Sequence, residues 1–406
     1  MDYEIFTLPN GIRLIHKQVN SPVAHFGMVA NTGSRDETDH EHGLAHFIEH
    51  VFFKGTHRRK AYHIISRIED VGGELDAYTT KEETAIHASF LKEYHARTME
   101  LISDITFHSV FPQKELEKEK EVVLDEINSY KDSPAELIYD DFEDLVFQHH
   151  PLGRNILGRP ETIQSFTRDT ILQFIQRNYT TSEIVLCSVG DISFKKLSKL
   201  AERYFGNIAT QNTSRTRNGF STYKPESKTI EKDTHQAHCI VGNLSYPVKD
   251  NRRIAMALLN DILGGPGMNS RLNMAIREKH GYTYSIESFN STYSDTGITG
   301  IYFGSDPENL EKCIALIKKT LLVLQTQKLG LLQLDRAKRQ LTGQLAIASE
   351  NNSALMLTLG KSLLTFNRVD SLEEINARIW AVKAGDIIEI ANDVWNINNL
   401  SFLIYK

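Results

Sequence analysis

Short apolar-rich runs and longer helical spacings alternate along the chain. EIFTLP and IRLIHKQ are runs of strand length, and Asn10-Gly11 between them is a hairpin signal. HFGMVAN (25–31) reads as a third strand, and after a polar loop LAHFIEHVFF reads as a helix. Residues 60–71 place Ile64, Ile65 and Ile68 on one helical face before the Gly72-Gly73 break. LDAYTT and AIHASF are extended, long amphipathic helices follow near 91–107, 113–131 and 135–147, and EIVLCSV is one more strand.

Between 206 and 228 the pattern stops. The stretch NIATQNTSRTRNGFSTYKPES has no apolar period and reads as a linker. Beyond it, HCIVGNLSYPVKDNRRIAMALLNDILGG repeats the order strand, polar loop, helix, glycine of HFGMVANTGSRDETDHEHGLAHFIEHVFFKG. Each half also closes on a strand, IVLCSVGD in the first and SFLIYK in the second. The fold class that follows is α+β, with two homologous sandwich-like halves, each a mostly antiparallel sheet covered by helices. The halves are expected at 1–205 and 229–406, which suits a length of 406 residues better than one large core.

Composition narrows the class without naming a chemistry. A formal net charge of −6 with no basic stripe leaves nothing to hold a nucleic-acid backbone. No apolar run approaches the roughly 20 residues that cross a bilayer, so no membrane partner is expected. Cys187 and Cys239 lie inside apolar runs, as small buried hydrophobes do. With no export-type apolar segment near the start, the expected location is cytoplasmic.

The chemistry sits in His46-Phe47-Ile48-Glu49-His50. Histidines four apart share a helical face and can grip one ion, and Glu49 shares that face. A carboxylate beside a zinc with an open position can take a proton from water, and the order H-x-x-E-H is the inverted zinc-peptidase signature. Aligned on Gly55 and Gly264, these residues fall opposite Ala255, Leu258 and Leu259, so the repeat builds the same helix without polar groups. A third ligand belongs to the acidic helix ELEKEKEVVLDEINSY, where Glu115, Glu117, Glu119, Glu121, Asp125 and Glu126 all stand as candidates.

HGLAHFIEHVFFKGT, EKEVVLDE and GGPGMNSRLNMAIREKHGYTYS, in that order, resemble the M16 peptidases, the pitrilysin and mitochondrial-processing-peptidase clan, at the length of the shorter M16B type. The resemblance runs from about residue 4 to the C-terminus. It implies one Zn2+ per chain on His46, His50 and Glu126, the last standing 76 residues after His50. It also implies Glu49 as general base and Glu119 as the residue that orients a ligand histidine. Arg277 and Tyr284 match an arginine–tyrosine pair that would hold the scissile carbonyl, with Arg271 as the alternative arginine. Asp76, Ala77, Tyr78 and Thr79 fall where the family receives peptide on an edge strand, although Asp76 stands where an asparagine is usual.

The function so implied is a zinc endopeptidase for short or unfolded peptides. It would work as a homodimer around a chamber, Arg277 and Tyr284 acting on the partner's site. The competing reading is a non-catalytic or partner-dependent subunit of a larger complex. Relatives of that kind lose histidine or glutamate positions that this chain retains.

Overall fold

The computed structural model describes residues 3–210 and 216–406. Two compact units emerge. One is Met1–Asn128, Ile156–Arg217 and Ile347–Ser371; the other is Ser129–Asn155, Asn218–Ala346 and Leu372–Lys406.

The first unit holds strands β1 (Glu4–Thr7), β2 (Arg13–Gln18), β3 (Val23–Ala30), β4 (Glu74–Thr79), β5 (Thr84–Leu91) and β6 (Ile184–Gly190). They form one sheet in the order β1-β2-β6-β3-β5-β4, antiparallel except for β2 beside β6. The Asn10-Gly11 turn is made as the sequence implies, with Gly11 at φ +94° and the Asn10 amide donating to the Phe205 and Ile208 carbonyls. Alternate residues of the central strands enter different cores. Leu14, Met28 and Leu186 face helices such as Leu44–Val51 and His95–Phe107, whereas Ile15, Val29 and Cys187 face the other way. Burial on both faces explains why IVLCSVG is apolar almost throughout.

In the second unit β7 (Ser227–Ile230), β8 (Ala237–Ser245), β9 (Thr283–Thr292), β10 (Gly297–Ser305) and β11 (Ser401–Tyr405) are ordered β7-β11-β8-β10-β9. Without β1, the first sheet has the same plan, including one parallel pair, β7 beside β11. The repeat read from the sequence is therefore also a repeat of topology.

The units do not follow chain order. Helix Asn352–Phe366 covers the outer face of the first sheet through Met356, Leu359 and Leu363. Helix Pro134–Val146 covers the corresponding face of the second sheet through Ile138, Phe142 and Val146. A glycine admits each helix. A Cβ at Gly27 would lie 3.0 Å from Met356 Sδ, and one at Gly242 would lie 2.9 Å from Phe142 Cζ. The boundaries expected at 1–205 and 229–406 are thus crossed twice, because each sheet has a second apolar face that its own half leaves open.

Of the linker expected over 206–228, residues 211–215 lie outside the described residues. The remainder is anchored despite its polar texture. Arg217 is largely buried in the first unit and donates from Nε and Nη2 to the two Asp36 carboxylate oxygens, 2.9 Å each. Phe220 and Tyr223 pack in the second unit. Cys187, Cys239 and Cys313 are free and buried. No helix among the described residues is long and apolar enough to cross a membrane.

Candidate metal centre

Helix Leu44–Val51 is short and is held at its start. Gly43 takes φ +93° against Gly158, itself at φ +84°, and a Cβ on Gly43 would lie 2.6 Å from the Gly158 Cα. The buried Glu37 carboxylate accepts from the Gly43 and Ala45 amides at 2.9 and 2.8 Å, filling donors that a helix start leaves open. Leu44, Ala45, Phe47, Ile48 and Val51 are fully buried, which directs the remaining face, His46, Glu49 and His50, to the site.

The two imidazoles converge. Their Nε2 atoms are 3.3 Å apart, and Glu126 brings one carboxylate oxygen to 3.8 Å from His46 Nε2 and the other to 3.6 Å from His50 Nε2. Among the described residues, one ligand atom from each of these three side chains lies within 4.8 Å of the others. Glu119, two turns from Glu126 on the same face of helix Gln113–Lys131, accepts from His50 Nδ1 at 2.9 Å. That bond puts the His50 proton on Nδ1 and turns the Nε2 lone pair toward His46 and Glu126. Lys54 Nζ, 2.6 Å from the other Glu119 oxygen, holds the carboxylate in place.

Of the acidic candidates on this helix, Glu126 alone joins the histidines and Glu119 alone stands behind them. Glu115 and Glu117 pair instead with Lys118 and Lys120, while Glu121 and Asp125 are exposed.

The group fits a zinc ion. Two nitrogens at zinc–nitrogen bond length in a tetrahedral shell stand about 3.3–3.4 Å apart, the separation seen here. Burial, with His50 nearby, pulls the His46 pKa down to about 3, so His46 is neutral and ready to ligate. Burial pulls His50 the same way, but the Glu119 bond and charge outweigh it and leave its pKa raised. Glu49 Oε2 is buried without a hydrogen-bond partner. Burial raises the Glu49 pKa, while the Thr79 hydroxyl and His50 work against the rise.

β4 lies at the edge of its sheet and packs near helix Leu44–Val51. Asp76 on it is exposed and accepts from the Ala77 amide at 2.8 Å. Tyr78 donates to Glu83 at 3.2 Å, and Lys361 Nζ sits 4.8 Å from the centre of the Tyr78 ring. In the second unit Arg277 and Tyr284 are neighbours, the guanidinium carbon 5.5 Å from the ring centre, and Tyr284 is 82% exposed. Arg277 lies on a π-helical turn, Asn273–Glu278. Lys54 and Glu37 escaped the sequence reading. A lysine four residues beyond His50 was a signal for the first, whereas nothing local marks Glu37.

The family description "Insulinase (Peptidase family M16)" matches residues 13–160, and "Peptidase M16 inactive domain" matches 165–341. The chain belongs to peptidase family M16. An uncharacterized zinc protease, YmxG, of Bacillus subtilis is 33% identical over 96% of this chain and 95% of its own length. A probable mitochondrial-processing peptidase subunit beta of Schizosaccharomyces pombe is 30% identical over 97% of this chain and 89% of its own. The crystal structure of a protease from Helicobacter pylori has the same fold, with a TM-score of 0.90 at 21% identity over 100% and 99% of the two chains. The M16 match described as inactive covers the helix in which Ala255, Leu258 and Leu259 replace the metal-facing residues.

Proposed function

We propose that this M16 protein is a zinc endopeptidase for short or unfolded peptides, with one ion per chain held by His46, His50 and Glu126. The observation that carries this reading is the convergence of both Nε2 atoms and the Glu126 carboxylate beside a buried, unpartnered Glu49 oxygen. Zinc held there supplies Lewis acidity, lowering the pKa of a water and polarising a carbonyl.

Glu49 takes a proton from the attacking water and returns it to the leaving amine. Glu119, braced by Lys54, keeps His50 in the ligating tautomer. The free edge of β4, at Asp76, Ala77, Tyr78 and Thr79, receives the peptide backbone as an added strand, giving affinity with little demand on sequence. Arg277 and Tyr284 donate to the carbonyl oxygen as negative charge develops on it. The family resemblance supports a homodimer enclosing a chamber in which these two residues serve the partner's metal. Free, buried thiols are compatible with work in the cytoplasm.

The test compares wild type with Glu49→Gln on quenched fluorescent peptides, with zinc measured by mass spectrometry. Glu49→Gln is expected to keep its zinc and lose about 10²–10⁴-fold in rate. Equal cleavage by the variant, or a wild type that takes up no zinc, sinks the proposal.

A further inference from the structure

A pocket of about 420 Å³ opens in the second unit between helix Leu310–Thr326 and the helical stretch around Asn273–Glu278. Its size falls within the range of small-molecule sites, about 300–1,000 Å³. Four basic side chains line it, Arg271, Lys279, His280 and Lys319, and no acidic residue does. In a chain of net charge −6 that is a local reversal of sign. Between these side chains the wall is apolar, with Leu316 and the half-exposed Met274 contributing to it.

Arg271 is the telling residue. It is half-buried, no carboxylate among the described residues lies within ion-pair distance of it, and burial alone pulls its pKa down. Other well-covered arginines are answered by acids, Arg59 by Glu100 and Asp104, Arg35 by Glu82 and Arg217 by Asp36, or, in Arg13, by the Leu363 and Ser182 carbonyls and the Asn367 amide oxygen. Desolvating a guanidinium without a counter-charge is unfavourable, and an incoming anion removes the penalty. Lys279 and Lys319 are exposed at the rim, where they draw an anion in.

We propose that this pocket is a binding site for a small anionic amphiphile, its phosphate or carboxylate head on Arg271 and Lys319 and its alkyl body against Met274 and Leu316. Arg271, the alternative to Arg277 in the sequence, thus receives a role away from peptide hydrolysis. The site does not depend on the proposed peptidase activity.

Calorimetric titration of the full chain without metal tests it, using octyl phosphate and octanoate, with octanol and inorganic phosphate as controls. At least one octyl anion is expected to bind saturably, one per chain, with octanol and inorganic phosphate about tenfold weaker or more. A phosphate-only or carboxylate-only result identifies the head group. Arg271→Gln should weaken binding about tenfold, and the surface change Lys319→Gln by less. Should Arg271→Gln melt early, Lys319→Gln and the loss of affinity with added salt decide. The proposal is overturned if neither octyl anion saturates, if inorganic phosphate binds equally well, or if both variants bind as wild type does.

Discussion

Helices Leu44–Val51 and Arg253–Gly264 hold equivalent places in the two repeats, each following the strand at the same position in its sheet. In the second, Ala255, Leu258 and Leu259 are buried in an apolar core. In the first, the matching positions carry His46, Glu49 and His50, and His46 Nδ1 and Glu49 Oε2 are buried without partners. A buried unsatisfied polar atom costs about 1–3 kcal/mol, and the second helix shows that the fold does not require that cost. The proposed metal centre gives that polar face a use that the fold itself does not supply.

That contrast can be broken by making the first helix resemble the second. The triple change His46→Ala, Glu49→Leu, His50→Leu should lower peptide cleavage on the order of 10³-fold or more, since ligands and base go together. Unfolding in urea with a chelator present should meanwhile show the variant more stable than wild type by about 1–3 kcal/mol. A variant less stable than the chelated wild type would mean that the polar residues serve the fold. Metal linkage is the next largest effect. Zinc at a thousandfold excess over its Kd should stabilise wild type by about 4 kcal/mol, and scanning calorimetry should find no such shift in the triple variant.

The outer faces of the sheets offer a second form of the comparison, because each is closed by a helix from the other half. Phe142→Ala should cost about 3–5 kcal/mol and Met356→Ala about 2–5 kcal/mol, both read by urea unfolding. An effect below 1 kcal/mol at either site would show that the covering helix contributes little. The smallest effect expected is at the support of His50. Glu119→Gln should weaken zinc binding about 10–100-fold, measured by competition with a chromophoric chelator, and Lys54→Met should act in the same direction but less. Unchanged affinity in both would leave His50 oriented by something else.

Local signals carried much of the fold. The Asn10-Gly11 turn, the strand runs and the helical spacing of His46 and His50 each depend on neighbours within a few residues, and each is found where the sequence indicates. The repeat was legible because both halves restate one order of elements. What stayed hidden depends on distant partners. Nothing around residue 352 or residue 134 says which sheet those helices cover. The polar segment containing Arg217 gives no sign that one guanidinium in it is buried on Asp36. Among six carboxylates on one acidic helix, only packing against helix Leu44–Val51 separates Glu126 and Glu119 from the rest.

His46-Phe47-Ile48-Glu49-His50 by itself determined that two imidazoles and a carboxylate share one helical face, because 3.6 residues per turn is a property of the backbone. Tertiary structure decided the rest of the centre: the Glu126 carboxylate facing both imidazoles, Glu119 and Lys54 behind His50, Glu37 at the helix start, and the two exchanged helices. Those contacts join residues far apart in the chain, and their energy comes from burial and charge pairing that exist only once the sheets have closed.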